Sequence, residues 1–271
     1  MISVVVPTCD RPAALRRCLA ALARQDAEAD LDVVVVDDGT AAGGSVEAPG
    51  ARVVRAGGRG PAAARNLGAR AARGRVICFT DDDCAPAPGW AQRLARACAG
   101  GGAAAGATVA DPAAGACAAT AQLLANTLML TSRDAATGGL RFAPTCNLAC
   151  HAETFAALPF DESFSLAAGE DRDWCARLVA TGALLRHVPD AVVVHRPQLG
   201  VRGLARQQLR YGRGAIAFRD AGGAPAGRAF YGRLARGCAR EGAGVAALVA
   251  LAQASVAAGA ALELAQQRLA R

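Results

Sequence analysis

Apolar residues fall along this chain in two rhythms. Short continuous apolar runs, bounded by polar residues or glycine, alternate with stretches in which apolar positions recur at helical spacing. The first rhythm fits strands covered on both faces and the second fits amphipathic helices. Ile2 to Val6 is a mostly β-branched run that closes on Pro7-Thr8-Cys9-Asp10-Arg11-Pro12. Pro12 suits the first turn of a helix and Asp10 its cap, and Leu15, Cys18, Leu19 and Leu22 follow at helical spacing. Leu31 to Val36 reads as a second buried strand, ending in Asp37-Asp38-Gly39-Thr40, and Arg52 to Arg55 as a third. Gly57-Gly58-Arg59-Gly60-Pro61 then opens a helix from about Ala62 to Arg73. Val76 to Phe79 is a further buried strand, and Pro88, Trp90, Leu94 and Cys98 mark a helix that stops in Gly100-Gly101-Gly102. Strands alternating with helices in this way predict a parallel sheet with right-handed crossovers.

Beyond Gly102 the pattern weakens. Thr108 to Asp111 fits a strand, Leu123 to Leu130 a helix, Gly138-Gly139 a mobile loop, and Phe142 to Cys150 a strand bearing Asn147. Gly169-Glu170-Asp171 precedes a helix with Trp174, Cys175, Leu178 and Val179 on its apolar side and Gly182 as its stop. Val192 to Val194 is a late strand ending in His195. Arg202 to Arg219 reads as a basic amphipathic helix suited to a membrane surface or to phosphates, with a solvated helix carrying one buried stripe as the alternative. Gly242 to Leu262 has only Gln253 and Ser255 as polar side chains and is long enough to cross a bilayer. Ten of its residues are alanine, which gives little insertion drive, so a buried or membrane-surface helix is expected there.

Composition narrows the classes. The chain has 271 residues, 53% of them hydrophobic, which supports a sizeable core and excludes general disorder. The net charge of +7 suits phosphate-bearing or anionic-membrane partners. All 30 basic residues are arginine, and they are dispersed, which argues against a nucleic-acid partner. Of the ten cysteines, Cys18, Cys78, Cys98 and Cys175 fall inside predicted elements as small apolar residues would. The chain opens directly into a strand without a secretory signal, so a reduced, cytoplasmic setting is expected. Cys146, Cys150 and His151 lack the second pair that a structural zinc site needs.

The candidate chemistry lies at element ends. Asp81, Asp82 and Asp83 follow the buried run Val76 to Phe79, and adjacent carboxylates repel unless a cation neutralises them. In an extended segment Asp81 and Asp83 would face one ligand and Asp82 would face away. Such a site suits Mg²⁺ or Mn²⁺ shared with a substrate's phosphates, whereas the triplet taken alone also fits a solvated acidic turn. Asp37-Asp38 again places carboxylates at a strand's carboxyl end, where open α/β sheets bind ligands. Arg65 and Asn66 begin a helix that could face the same ends. Glu170 and Asp171 fit either a helix start stabilised by the dipole or an acid aimed into a cleft.

Four stretches in this order carry a family resemblance. They are Val-Val-Val-Pro-Thr-Cys-Asp-Arg (4–11), Val-Val-Val-Asp-Asp-Gly-Thr (34–40), Ala-Arg-Asn-Leu-Gly (64–68) leading to Phe-Thr-Asp-Asp-Asp (79–83), and Gly-Glu-Asp-Arg-Asp-Trp (169–174). Over about residues 2 to 197 the chain resembles the inverting family 2 glycosyltransferases of GT-A fold. The resemblance implies an α/β architecture with a Rossmann-like, mostly parallel central sheet flanked by helices, a catalytic domain at 1–198 and a C-terminal helical extension at 199–271. It implies that Pro7, Thr8 and Arg11 line the nucleotide end of the pocket, that Asp38 and Arg65 contact the base, and that Asp81 lies near the ribose or sugar. Asp83 would hold Mn²⁺ or Mg²⁺ on the diphosphate, with Asp82 the alternative in the row of three, and His195 would complete the metal site. Asp171 resembles the catalytic base, with Glu170 as the second candidate. The donor would be a UDP, GDP or TDP sugar. The acceptor would be lipid-linked, a polysaccharide or a small molecule, reached at the cytoplasmic face of the membrane through peripheral contact. Two rivals stand beside this reading: a nucleotidyltransferase on the same sheet, and a non-catalytic, membrane-associated nucleotide-sugar-binding protein.

Overall fold

The computed structural model describes residues 1–25, 30–39, 46–164, 168–220, 222 and 227–269. Thr40 of the second motif and residues 165–167 before the fourth lie outside the described residues. The first half alternates as its apolar runs dictate: β1 (Ile2–Thr8), α1 (Pro12–Leu22), β2 (Leu31–Asp37), β3 (Arg52–Arg55), α2 (Pro61–Ala71) and β4 (Val76–Phe79). Val4, Val5 and Val6 are fully buried, and Leu15, Cys18, Leu19 and Leu22 of α1 pack into the core on one face. Arg11 rather than Asp10 takes the cap position of α1, without a side-chain cap bond. Asp10 instead turns the chain with φ 50°, a left-handed conformation that a short polar residue tolerates.

After β4 come β5 (Cys84–Pro86), α3 (Trp90–Cys98), β6 (Ala103–Ala110), α4 (Gly115–Thr131), β7 (Leu148–His151), α5 (Ala152–Ala157), α6 (Glu170–Ala180) and β8 (Leu185–His195). Among the described residues the sheet has eight strands in the order β3-β2-β1-β4-β7-β6-β8-β5. β1, β2, β3 and β4 are mutually parallel and β6 is parallel to β8, while β7 runs antiparallel to β4 and β6 and β5 antiparallel to β8. The sheet is therefore mostly parallel, but mixed on one side. Four residues join β4 to β5, a reach of at most ~17 Å from Phe79 to Cys84. A flat sheet would hold those strands ~19 Å apart, at four spacings of ~4.8 Å. The sheet consequently curls, and the curl returns β5 and the end of β8 to the aspartate triplet.

Two elements are shaped by small residues and one amide. β6 is longer than Thr108–Asp111 because Ala103, Ala104 and Ala105, poor strand formers alone, lie fully buried between β7 and β8. Residues 142–150 are not one strand: a 3-10 turn over Thr145–Asn147 follows Pro144 and precedes β7. There the buried Asn147 donates to the carbonyls of Ala107 and Ala191 at 2.9 and 3.0 Å and accepts from Trp90 Nε1 at 2.8 Å. That clasp sits on the register shift between Gly106 and Ala107, where a Cβ on Gly106 would run into the Ala191 carbonyl.

Three helices complete the chain: α7 (Val201–Asp220), α8 (Arg228–Glu241) and α9 (Ala243–Leu269). α7 and α9 meet backbone to backbone, since a Cβ on Gly212 would strike the Val256 carbonyl and one on Gly259 the Leu209 carbonyl. α8 seats Phe230 and Leu234 against Leu124 of α4 and Val249 and Ala252 of α9. α9 is not a buried helix: Val249, Ala252 and Gly259 are its only buried positions among the described residues.

Candidate active site

Two carboxylate clusters converge at the carboxyl ends of β1 and β4. The chain does not stay extended after Phe79. It turns at Asp82 and Asp83, with Cys84 N–H bonding the Asp81 carbonyl at 3.1 Å, so the three aspartates take three directions. The expected alternation of Asp81 and Asp83 about an extended strand is thus replaced by a turn. Asp82 points inward and is fully buried; Thr8 Oγ1 donates to it at 2.7 Å and Arg11 Nη2 lies 2.7 Å from its other oxygen. Burial pushes its pKa up to about 6 against the pull of Arg11 and Thr8. Asp83 takes Arg11 Nη1 on Oδ2 at 2.9 Å and presents Oδ1 to His195 Nε2 at 3.4 Å. Burial works to raise Asp83, but His195 and Arg11 outweigh it and hold the carboxyl below its ordinary range.

His195 arrives through the β5–β8 pair, in which Cys84 and His195 are register partners. Gln122 Oε1 of α4 sits 2.9 Å from His195 Nδ1, which fixes Nδ1 as the protonated nitrogen when the ring is neutral and leaves the Nε2 lone pair toward Asp83. Burial opposes charge on the ring, yet the hydrogen bond it donates to Asp83 and the neighbouring negative groups lift its pKa to about 9. Asp83 Oδ1, Cys84 Sγ and His195 Nε2 lie within 4.8 Å of one another, a donor set able to hold a divalent ion. Asp82, turned inward onto Thr8 and Arg11, is not part of it.

The second cluster is organised by Arg65. This guanidinium is 5% exposed, and its Nη2 binds Asp81 at 2.8 Å while Nη1 binds Glu170 at 3.2 Å. One cation therefore ties the end of β4 to the start of α6. Asn66 beside it donates to Phe160 O at 2.9 Å and Glu162 Oε1 at 3.0 Å, anchoring the segment ahead of α6. Phe79, Phe155, Phe160 and Trp174 form an aromatic cluster with centroids 5.1–6.3 Å apart, which fixes the same two ends from within. Gly169, at φ 102°, precedes the helix. Asp171 is half-buried in the first turn of α6. Burial, then the Glu170 charge, push its pKa up to about 7, against Arg65 and the helix's own N–H. Glu170 is raised too, by burial, despite its contact with Arg65.

The remaining candidates stand nearby. Asp38 accepts from the backbone N–H groups of Arg59 and Gly60 at 2.8 and 2.9 Å, so it shapes the glycine-rich loop before α2. Pro7 lies half-buried in β1 opposite Val36. A cavity of about 370 Å³ opens beside Arg11, lined by Thr8, Asp10, Pro12 and Glu47 among others. Three neighbours of the site were not singled out from sequence: Cys84, Gln122 and Tyr211. Tyr211, on α7, is 43% exposed as a residue, and desolvation together with the charges of Asp171 and Glu170 raises the pKa of its hydroxyl. Cys84 directly follows the triplet and was readable there; Gln122 reaches the site only through packing between α4 and β8.

Comparison with known proteins bears on the fold and on residues 3–123. Residues 3–123 match the family model described as glycosyl transferase family 2. Proteins named pre-mycofactocin glycosyltransferase, from two strains of Mycobacterium tuberculosis, are 30% identical over 237 residues, covering 78% of this chain and 46% of theirs. The chain spans about half the length of the curated relatives it matches. Among solved structures, mannosyltransferase PcManGT from Pyrobaculum calidifontis, in complex with GDP-Man and Mn²⁺, aligns with a TM-score of 0.60 at 20% identity, over 99% of this chain and 80% of that one. S. aureus TarS 1-349 in complex with UDP-GlcNAc aligns with a TM-score of 0.58 at 14% identity, over 80% of this chain and 71% of that one. At such identities the structural likeness speaks for the fold. The segment 3–123 is thus similar to glycosyl transferase family 2, and the fold that carries it is shared with solved glycosyltransferases of the GT-A type.

Proposed function

We propose that the protein transfers a sugar from a nucleoside diphosphate donor to an acceptor hydroxyl with inversion, using Asp171 as general base. The observation that carries this reading is the Arg65 bridge, which holds a strand-end aspartate cluster and a helix-start carboxylate pair in one site. Pro7, Thr8, Arg11 and Asp38 form the nucleotide end. Arg65 acts as a positioning residue for Asp81 and Glu170. Asp83 and His195 would hold Mn²⁺ or Mg²⁺; their oxygen and nitrogen donors fit such an ion, and Gln122 fixes the ring that presents one of them. When bound, that ion neutralises charge on the departing diphosphate. Asp171, with a pKa near 7, takes the proton from the acceptor hydroxyl as that oxygen attacks the anomeric carbon opposite the diphosphate. The bond to the diphosphate breaks, and one displacement inverts the centre without a protein nucleophile.

The region 199–271 we read as a helical extension in contact with an anionic membrane surface on the cytoplasmic side, serving a lipid-linked acceptor. α8 exposes Arg228, Arg233, Arg236 and Arg240, and the apolar window of α9 has a mean hydropathy of 2.0 while being only 17% buried. All ten cysteines are free, as suits a reducing compartment. The test of the catalytic reading is calorimetric titration of UDP, GDP and TDP with Mn²⁺ and with chelator, followed by turnover of the binding donor sugar by native protein and Asp171→Asn. Metal-dependent binding of one nucleotide with turnover lost in the variant supports it. A variant as active as the native protein sinks the base assignment.

A further inference from the structure

The donor set at the triplet is unusual for a site meant only for a hard ion, because one of its three members is a thiol. Cys84 is the register partner of His195 across the β5–β8 pair, and the curl of the sheet sets both against Asp83. Asp83 Oδ1 stands 3.4 Å from His195 Nε2 and 3.9 Å from Cys84 Sγ. A tetrahedral ion with bonds of ~2.0–2.3 Å places neighbouring ligand atoms ~3.3–3.8 Å apart. An octahedral ion with bonds of ~2.1 Å places cis ligands ~3.0 Å apart. The Asp83–His195 spacing falls on the tetrahedral edge and the Asp83–Cys84 spacing just beyond it, and both exceed the octahedral one. The surroundings are ordered as well: Gln122 holds His195 Nδ1, and the buried Cys146, packed in the same cluster as Cys84, stands 3.9 Å from Thr108 Oγ1. Arg11 occupies the other oxygen of Asp83 and its charge opposes a cation, but its side chain is 51% exposed and has solvent to move into.

We propose that Asp83, Cys84 and His195 form a three-ligand site for a thiophilic divalent cation of the Zn²⁺ class, with a fourth position open to solvent or to a phosphate oxygen. The proposal rests on the reading of Asp83 and His195 as metal ligands. Binding replaces the S–H bond of Cys84 with a sulfur–metal bond and releases one proton to solvent, with no change of oxidation state. Thiolate favours Zn²⁺ over Mn²⁺ and Mg²⁺, so the soft ion and the hard ion compete for one place. The site is then a switch: zinc excludes the hard ion and its nucleotide sugar.

The probe is Co²⁺ added to the full-length protein, read by its thiolate-to-metal charge-transfer band and the intense visible absorption of tetrahedral cobalt. The expected result is one equivalent of Co²⁺ with both signatures, displaced by Zn²⁺, and loss of the charge-transfer band in Cys84→Ser and of binding in His195→Gln. A band that survives Cys84→Ser, or binding that survives His195→Gln, overturns the proposal. X-ray absorption of the zinc-loaded native protein needs no variant: one sulfur among the ligands agrees, and none overturns. Calorimetry of Mn²⁺ with nucleotide separates the two readings. Manganese-dependent nucleotide binding without a cobalt band removes only the thiol ligand, and absence of both removes the metal assignment of Asp83 and His195 as well.

Discussion

His195 Nε2 and Asp83 Oδ1 face each other at 3.4 Å because β5, leaving the aspartate turn, pairs antiparallel with β8 and aligns Cys84 with His195. Gln122 completes the arrangement from α4 by holding the far side of the ring. Gln122→Leu leaves both proposed ligands in place and frees the imidazole. It should weaken Mn²⁺-dependent nucleotide binding about 10-fold, the usual effect of removing a ligand's hydrogen-bond partner. Calorimetry checks it, and unchanged affinity would show that the ring needs no such support.

On the proposed mechanism, Asp171 carries the pH dependence. A base must be deprotonated, so kcat/KM should rise as pH passes through about 7 and level off above it. Asp171→Asn should lose that limb together with about 10²–10⁴ of the rate. A profile flat from about pH 5.5 to 8.5 would remove Asp171 from the role.

Stability should run the opposite way. Folding raises this carboxyl above its ordinary pKa, so the fold favours the protonated form. The contribution is fully present below the unfolded pKa and is lost as pH rises through about 7. Asp171→Asn should therefore be more stable than the native protein near pH 8, by on the order of 1 kcal/mol after allowing for partial exposure, with the gain gone near pH 4. Thermal unfolding at the two pH values decides it.

Arg65 should prove structural before anything else. Removing it leaves Asp81 and the buried Glu170 without their shared cation, a change that costs about 3–5 kcal/mol. Arg65→Met should show this loss in urea denaturation. Arg65→Lys should recover only part of it, because a point charge cannot span two carboxylates as the planar fork does. An unchanged midpoint in either variant would contradict the bridge.

These relationships mark what the sequence made legible. The parallel half of the sheet could be read because β1, β2 and β4 are apolar runs that need cover on both faces, and the acids at their ends stand out by repulsion alone. The start of α6 was visible in Gly169-Glu170-Asp171 for the same reason. The other half was hidden because β6 is built of alanine and glycine, whose fitness for a strand comes from the neighbours that press on them. The turn at Asp82 and Asp83 was hidden too: nothing local distinguishes it from an extended run, and it is imposed by β5 having to reach β8. Gln122 reached the site through its contact with His195 across the fold, which leaves no periodic trace.

The C-terminal helices give a prediction independent of chemistry. Sedimentation with vesicles should show binding when they contain anionic lipid and little binding to neutral ones. Reversing Arg233, Arg236 and Arg240 of α8 to glutamate should abolish it, since each such residue contributes about 1 kcal/mol near a charged surface. Equal binding to neutral vesicles would point to the apolar face of α9 acting alone, and no binding to either would remove the membrane from the account.

The two glycine crossings between α7 and α9 have a mechanical meaning. Where side chains separate two helices, rotamer changes absorb small displacements; where backbones touch at Gly212 and Gly259, nothing intervenes. α7 is seated the same way on the segment before the base, with Gly214 against the Ala168 carbonyl and Arg172 stacked 4.5 Å from the Phe218 ring. α9 and Asp171, the proposed base, are thus geared through two stiff contacts, so a displacement imposed on that helix passes to the start of α6.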